Sequence, residues 1–178
     1  MSDLRYPIGK FQWTAPANEE DAASARTAYI NTIAGLPEQL SVAVTDLRPD
    51  QLDTPYRPEG WTVRQVVHHV PDSHLNAYIR FKMALTEDAP TIKPYMEDRW
   101  AELREAKQAP VEVSLALLDS LHQRWVMSLR NLSETDWKRT FLHPDLGTVT
   151  LEKSLALYAW HGRHHVAHVA KLRERMGW

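Results

Sequence analysis

The chain has 178 residues, of which 43% are hydrophobic and 25% charged, a composition typical of one soluble globular domain. Its formal net charge of −2 gives no electrostatic basis for binding nucleic acid or an anionic membrane. The absence of cysteine excludes disulfides, thiolate metal ligands and a cysteine nucleophile. Any thiol chemistry must therefore use a thiol that a substrate supplies. No signal peptide or membrane-spanning stretch is recognisable, so we expect a cytoplasmic protein.

The first half of the chain predicts an extended arm followed by two long helices. Residues 1–17 show little periodicity and are expected to form the arm. A helix should start after Asn18, a good N-cap residue, and run to about residue 47, with Pro37 as a candidate break or kink. The second helix should start at a capping box that begins with Thr62, bend at Pro71 and run to about residue 85.

The second half predicts two further long helices. A short helix is expected over 97–107, and Pro110 should open a helix that continues to Leu129. Residues 133–148 contain turn residues and are predicted to be a connection. Thr150 should cap the last helix, which carries one stripe of residues at steps of three and four. The stripe comprises Leu151, Leu155, Tyr158, His161, His165, His168, Leu172 and Met176.

Four long amphipathic helices with connections of moderate length predict an all-α fold. The simplest architecture is an antiparallel four-helix bundle with a short extra helix and an extended N-terminal arm. No internal repeat or low-complexity tract divides the chain, so we expect a single domain over residues 1–178.

Seven of the nine histidines fall in two clusters, one on the second helix and one on the last. The clusters are His68, His69 and His74, and His161, His164, His165 and His168. His161 and His165 are four residues apart, so their rings project from one face, and both continue the apolar stripe. Because a buried imidazole without a partner is costly, the pair indicates a divalent metal ion, which binds neutral imidazole nitrogens.

Spacing alone leaves several ligand sets open. The third ligand could be His68 or His69, and His164 with His168 has the same spacing as the first pair. Histidines on a long helix are also often solvated or hydrogen-bonded without a metal. The last helix does not match a zincin metalloprotease helix, because Gly162 follows the first histidine where that helix carries its glutamate base.

Several motifs together resemble one known family over nearly the whole chain. They are Tyr6-Pro7-Ile8-Gly9, Gly60-Trp61-Thr62-Val63-Arg64-Gln65-Val66-Val67-His68-His69, Asp72-Ser73-His74, Tyr78-Ile79-Arg80-Phe81-Lys82, His143-Pro144-Asp145, and Trp160-His161 with His164-His165. In these segments the chain resembles the YfiT branch of the DinB-like metalloprotein superfamily, which includes metal-dependent hydrolases and bacillithiol-dependent S-transferases.

The resemblance implies a four-helix bundle, often a homodimer, that holds one divalent metal ion per chain. Zinc or nickel is the expected ion, with iron or manganese as alternatives. The family pattern implies the ligands His69, His161 and His165, with Asp72 three residues after the first. It thereby selects among the combinations that spacing leaves open.

Two reactions suit such a site: hydrolysis by a metal-bound hydroxide, and transfer of a metal-activated low-molecular-weight thiol, such as bacillithiol, to a small electrophile. The histidine-bearing turns carry no carboxylate base, which favours S-transfer within the metal-dependent hydrolase class. Asp72 and Arg80 are the candidate catalytic side chains, and Asn76 and Tyr78 are further candidate substrate contacts. A non-enzymatic structural or sensory metal site, closed by His164 or Asp72 as a fourth ligand, is the alternative.

Overall fold

A computed structural model describes residues 3–178, so Met1 and Ser2 of the predicted N-terminal arm lie outside the described residues. Eight helices and two strands form within that range. The helices are α1 (Glu19–Val44), α2 (Pro49–Leu52), α3 (Val63–Thr86), α4 (Glu97–Ala101), α5 (Arg104–Gln108), α6 (Val111–Leu129), α7 (Glu134–Trp137) and α8 (Leu151–Met176). The strands are β1 (Thr140–His143) and β2 (Gly147–Thr150).

The predicted caps are present at the ends of the long helices. The side chains of Asn18, Thr62 and Thr150 each accept a hydrogen bond from a backbone N–H in the first turn of α1, α3 and α8. Gly177 ends α8 in the left-handed conformation, with φ of 69°, which a glycine adopts without steric cost. Helix α1 continues through Pro37, and α3 continues through Pro71.

The four long helices α1, α3, α6 and α8 form the predicted four-helix bundle. Each packs on two of the others: α1 and α3 each contact α6 and α8. Helices α1 and α3 are the first two long helices along the chain, but they therefore lie diagonally opposite each other in the bundle. The same holds for α6 and α8.

Each helix has one parallel and one antiparallel neighbour. Arg26 of α1 pairs with Glu152 at the start of α8, and Arg173 near the end of α8 donates to the carbonyl oxygen of Ala43 near the end of α1, so these helices are parallel. Helices α3 and α6 are parallel as well, whereas the expected antiparallel arrangement holds for α1 with α6 and for α3 with α8. Residues 87–110 must consequently run back along the bundle between α3 and α6.

Two connections are more structured than the sequence indicated. The short helix expected over 97–107 is a pair of helices, α4 and α5. The stretch 133–148, predicted to be a plain connection, contains α7 and most of an antiparallel hairpin of β1 and β2. A backbone hydrogen bond from Ile92 to Leu142 joins the hairpin to residues 87–110, the crossover segment between α3 and α6. Local sequence patterns do not reveal such a long-range contact.

Two groups of buried apolar side chains fill the bundle, one towards each end. One is centred on Trp125 and Leu155, and the other on Leu36 and Leu118. The histidines of α8 lie between the two groups in sequence, and His161 and His165 face His69 of α3 across the α3–α8 interface. Within residues 3–178, no helix has the length and apolar character needed to cross a membrane.

Candidate metal centre

The structure brings His69, His161 and His165 together. The Nε2 atom of His161 lies 3.3 Å from Nε2 of His69 and 3.2 Å from Nε2 of His165. All three candidate ligand atoms lie within 4.8 Å of one another. Helix α8 supplies two rings one turn apart, and α3 supplies the third from the antiparallel neighbour.

These distances suit a bound metal ion. A tetrahedral ion with metal–nitrogen bonds of about 2.05 Å holds its nitrogen ligands about 3.3 Å apart. The Nε2–Nε2 distances from His161 to His69 and to His165 agree with that spacing to within about 0.1 Å. The three residues could therefore hold one divalent ion without rearrangement of the helices.

Burial keeps the three rings in the form that binds metal. Desolvation lowers the pKa of His69 to about 4, and it lowers the pKa values of His161 and His165 well below the usual range. Neighbouring histidine rings, including that of His164 outside the cluster, lower these pKa values further, since two adjacent imidazolium ions would repel each other. All three rings are consequently neutral at physiological pH, and a neutral imidazole has a nitrogen lone pair available for an ion.

The alternative histidines lie elsewhere. His68 points to α6 and to the crossover segment, where its ring contacts Ser114 Oγ at 2.7 Å and the carbonyl oxygen of Ala109 at 3.2 Å. His164 and His168 form their own pair, with their Nε2 atoms 2.9 Å apart. Both line the same cavity as the cluster but are not part of it.

A cavity of about 620 Å³ opens beside the three rings. Side chains from the 54–62 loop, the crossover, the hairpin, α3 and α8 line it. Among the uncharged lining residues are Trp61, whose ring lies 4.7 Å from that of His69, and Ser73, whose Oγ lies 3.5 Å from Nε2 of His161. The cavity has the size of a small-molecule site.

Of the candidate catalytic side chains, Arg80 lines the cavity and Asp72 does not. The buried Arg80 guanidinium lies 3.5 Å from the hydroxyl of Tyr158, which also lines the cavity. Asp72 is half-buried outside the cavity, where burial and then Glu105 raise its pKa to about 6. The further candidates Asn76 and Tyr78 also lie outside the cavity lining, and the Asn76 amide donates to the carbonyl oxygen of Asp72.

Sequence reasoning missed three residues near the cluster. His74, noted only as part of a cluster, contacts Nδ1 of His161 at 3.2 Å, and His122 of α6 contacts His74 at 3.0 Å. His143, interpreted as a turn residue, lines the cavity from the end of β1. The position of His122 on the apolar face of α6, one turn after Leu118, is the signal that could have identified it.

Comparison with known proteins agrees with this geometry. The family model of the DinB superfamily matches residues 33–169. A protein of Bacillus cereus, named "Putative metal-dependent hydrolase", is 57% identical over the full length of both chains. A relative from Bacillus anthracis with the same name is 56% identical, also over the full length of both.

Two solved structures share the fold. YfiT from Bacillus subtilis, described as a probable metal-dependent hydrolase with an unusual four-helix bundle topology, is 48% identical with a TM-score of 0.93, and the match covers 98% of each chain. TT2238, a four-helix bundle protein, is 20% identical with a TM-score of 0.57 over 79% of this chain and 94% of that one, which supports the fold alone. The matched sequence, the diagonal helix order and the full-length relatives lead to one conclusion: the chain belongs to the DinB superfamily, in its YfiT-like branch.

Proposed function

We propose that this protein is a divalent-metal-dependent enzyme that activates a low-molecular-weight thiol for transfer to a small electrophile. The observation that carries the proposal is the cluster of His69, His161 and His165 at metal-ligand distances beside a cavity of small-molecule size. A bound ion supplies Lewis-acid chemistry, because it keeps its full charge among neutral imidazoles and lowers the pKa of a coordinated water or thiol.

An open site fits the geometry better than a closed structural site. Of the two residues considered as a fourth ligand, His164 does not belong to the cluster of ligand atoms, and its Nε2 lies 2.9 Å from Nε2 of His168. Asp72 lies outside both the cluster and the cavity. An ion held by these three protein ligands alone would keep a coordination position free for a substrate, as in catalytic rather than structural metal sites.

The chain's own residues suit the binding of a polar substrate beside the cluster. The buried Arg80 guanidinium is a fixed positive charge that would attract an anionic group of the thiol or the electrophile. The hydroxyl groups of Ser73 and Tyr158 can orient that group by hydrogen bonds. The ring of Trp61, tilted by 53° and 4.7 Å from that of His69, adds an apolar surface beside the cluster.

Transfer of a thiol needs less from the protein than hydrolysis does. The thiol sulfur forms a bond to the electrophilic carbon, the bond from that carbon to the leaving group breaks with its electron pair on the leaving group, and the thiol proton passes to solvent. No carboxylate belongs to the histidine cluster of residues 3–178, and the four that line the cavity, Glu59, Glu97, Asp98 and Asp145, are exposed. Within the described residues, the cluster therefore includes no carboxylate that could act as a general base for water.

Hydrolysis is the second candidate, and the names of the relatives favour it. The full-length relatives and YfiT carry the description of metal-dependent hydrolases. A thiol-consumption assay separates the two reactions, with a low-molecular-weight thiol, a model electrophile and the zinc- or nickel-loaded protein. We expect metal-dependent loss of the free thiol beyond the uncatalysed rate. Turnover of an ester or amide without any loss of thiol would favour hydrolysis and overturn the proposal of transfer.

The ligand assignment has its own test. Alanine substitution of His69, His161 or His165 should abolish stoichiometric metal binding, measured by elemental analysis after gel filtration. His68→Ala is the matched control, since its ring points to α6, and it should bind metal like the natural protein. Stoichiometric binding by all three alanine variants would show the assignment to be wrong. Zinc or nickel as the ion, a bacillithiol-type thiol and a homodimeric assembly stay predictions of the family resemblance.

A further inference from the structure

A chain of hydrogen bonds runs from the backbone of α1 to the candidate metal ligand His161. The carbonyl oxygen of Ile33 lies 2.6 Å from Nδ1 of His122. Nε2 of His122 lies 3.0 Å from Nδ1 of His74, and Nε2 of His74 lies 3.2 Å from Nδ1 of His161. The remaining nitrogen of His161, Nε2, faces the other two candidate ligands.

The chain starts at a carbonyl group that the sequence leaves free. In a regular helix the carbonyl oxygen of Ile33 would accept from the backbone N–H of residue 37. Residue 37 is proline, which has no N–H, and it lies inside α1. The buried oxygen therefore needs another donor, and the ring of His122 supplies it.

This starting point fixes the position of every proton in the chain. A carbonyl oxygen can only accept, so the hydrogen of His122 must be on Nδ1. A neutral His122 then accepts at Nε2, so His74 donates from Nδ1 and accepts at Nε2. By the same reasoning His161 donates from Nδ1, and its Nε2 carries the lone pair.

The surroundings of the chain favour neutral rings. His74 is fully buried, His122 is 1% exposed, and their neighbours are the aromatic rings of Trp125 and Tyr158. Among the described residues, no carboxylate hydrogen-bonds to His74, His122 or His161. The carboxylate of Asp119 attracts a charged His122 electrostatically but does not hydrogen-bond to it. A cationic ring, which could donate from both nitrogens and reverse the direction of a hydrogen bond, therefore has no hydrogen-bonded counter-ion there.

We propose that Ile33, His122 and His74 hold His161 in the Nδ1–H form, with its Nε2 lone pair aimed at the ion position, and thereby raise the affinity of the site for metal. The role in affinity rests on the proposed metal site. His74 and His122 are positioning residues, since neither lies among the three ligand atoms. Because the chain starts at a carbonyl oxygen, which takes up no proton, it orients His161 and provides no exit route for protons.

Histidine tautomers in the metal-free full-length protein test the directionality without any metal. Long-range nitrogen–proton correlation NMR distinguishes Nδ1–H from Nε2–H rings. We expect the Nδ1–H form for His122, His74 and His161. In a His122→Phe variant, His74 loses the acceptor of its Nδ1–H group, so its ring should become a mixture of both forms. An Nε2–H ring at any of the three positions in the natural protein would overturn the proposal.

Zinc affinity, measured by competition with a chromophoric chelator, tests the consequence. His74→Phe removes the acceptor for His161 and should weaken zinc binding by about 10- to 100-fold. His74→Gln can place an amide oxygen near the position of Nε2 and should recover part of that loss. His68→Phe, which removes a buried histidine of the same helix that has hydrogen bonds at both ring nitrogens, should leave the affinity unchanged.

The outcomes separate the two proposals. Equal zinc affinity in His74→Phe and the natural protein would contradict the positioning role, as would equal losses in His74→Phe and His74→Gln. If His74→Phe fails to fold, the tautomers of the natural protein and the zinc affinity of His74→Gln still test the positioning role. A natural protein with Nδ1–H rings at all three positions that binds no zinc would refute the proposed metal site and leave the directional chain standing.

Discussion

Asp72 lies three residues after the candidate ligand His69 and carries an unfavourable buried charge. Desolvation, and then the charge of Glu105, raise the pKa of its carboxyl from 3.8 to about 6. A raised pKa means that the folded protein binds this proton more tightly than the unfolded chain does. The side chain therefore favours folding below about pH 4, and that contribution is lost as the pH rises through about 6.

Asp72→Asn should consequently stabilise the metal-free protein at pH 7.5 by about 1 kcal/mol and have almost no effect near pH 4. The small size reflects the partial exposure of the carboxyl group, which solvent screens. Urea unfolding at both pH values measures the difference. Asp50→Asn is the control with the opposite sign, because a hydrogen bond from Arg48 lowers the pKa of Asp50. A loss of stability in Asp72→Asn at pH 7.5 would contradict this account.

The same variant tests the candidate catalytic role of Asp72. If the residue is outside the reacting centre, as its absence from the cavity lining indicates, turnover should stay within about twofold of the natural protein at pH 7.5. A general base should instead contribute at least about 100-fold. A decrease in turnover of that size in Asp72→Asn would show that Asp72 takes part in the reaction.

At the scale of single residues, the sequence identified the histidines but not their connections. The i, i+4 spacing predicts that His161 and His165 share a face, and the structure agrees. The choice of His69 over its neighbour needed the family pattern, because two adjacent positions of a helix differ by about 100° and either could have faced α8. His122 could not be paired with His74 from spacing, since the contact depends on the packing of α3 against α6.

Gly162 illustrates how one residue sets the distance between two helices. A Cβ atom at this position would overlap Cδ2 of Leu36 and lie 2.9 Å from its Cδ1. Helix α8 therefore approaches α1 closely at the turn that carries His161 and His165. The glycine that breaks the resemblance to a zincin helix is explained by this packing.

Gly162→Ala should destabilise the protein by about 1–3 kcal/mol, because Leu36 lies in a packed core and cannot move without displacing its neighbours. It should also weaken zinc binding, since the displaced turn carries two ligands. Gly35→Ala is the matched control on α1: its Cβ would meet only the end of the flexible Gln39 side chain at 3.2 Å. That variant should gain up to about 1 kcal/mol from helix propensity. Equal stability of the two variants would refute the packing argument.

At the scale of elements, local signals predicted the long helices well and the hairpin poorly. Asn18, Thr62 and Thr150 mark helix starts because capping uses only neighbouring residues. The strands β1 and β2 have four residues each, too few for an alternating pattern to stand out. Their position depends instead on the backbone contact between Ile92 and Leu142, which joins distant parts of the chain.

At the scale of the whole molecule, the helix order explains why the site needs the complete bundle. The ligands come from α3 and α8, whereas the chain of hydrogen bonds that reaches His161 runs from α1 through His122 of α6 to His74 of α3. Helix number and length were predictable from periodicity, but the diagonal order was not. That order depends on the crossover of residues 87–110, whose path is set by contacts such as the Gln65 amide with the carbonyl oxygen of Ala101.

A metal ion held between α3 and α8 should stabilise the whole bundle. The unfolded chain has no preformed set of three imidazoles, so the ion binds the native state preferentially and shifts the equilibrium by mass action. At a free zinc concentration of 100 times the dissociation constant, the free energy of unfolding should rise by about 2.7 kcal/mol. Thermal unfolding of the metal-free protein, with and without added zinc, measures the increment.

His69→Ala should remove this increment, because only α8 would then supply ligands and the ion would no longer join two helices. Magnesium is the control ion, since it prefers oxygen ligands and should give no increment with the natural protein. A chelator should reverse the zinc effect. The decisive comparison is the natural protein against His69→Ala at equal free zinc: the same zinc-dependent rise in both would show that the ion stabilises the fold from a different site.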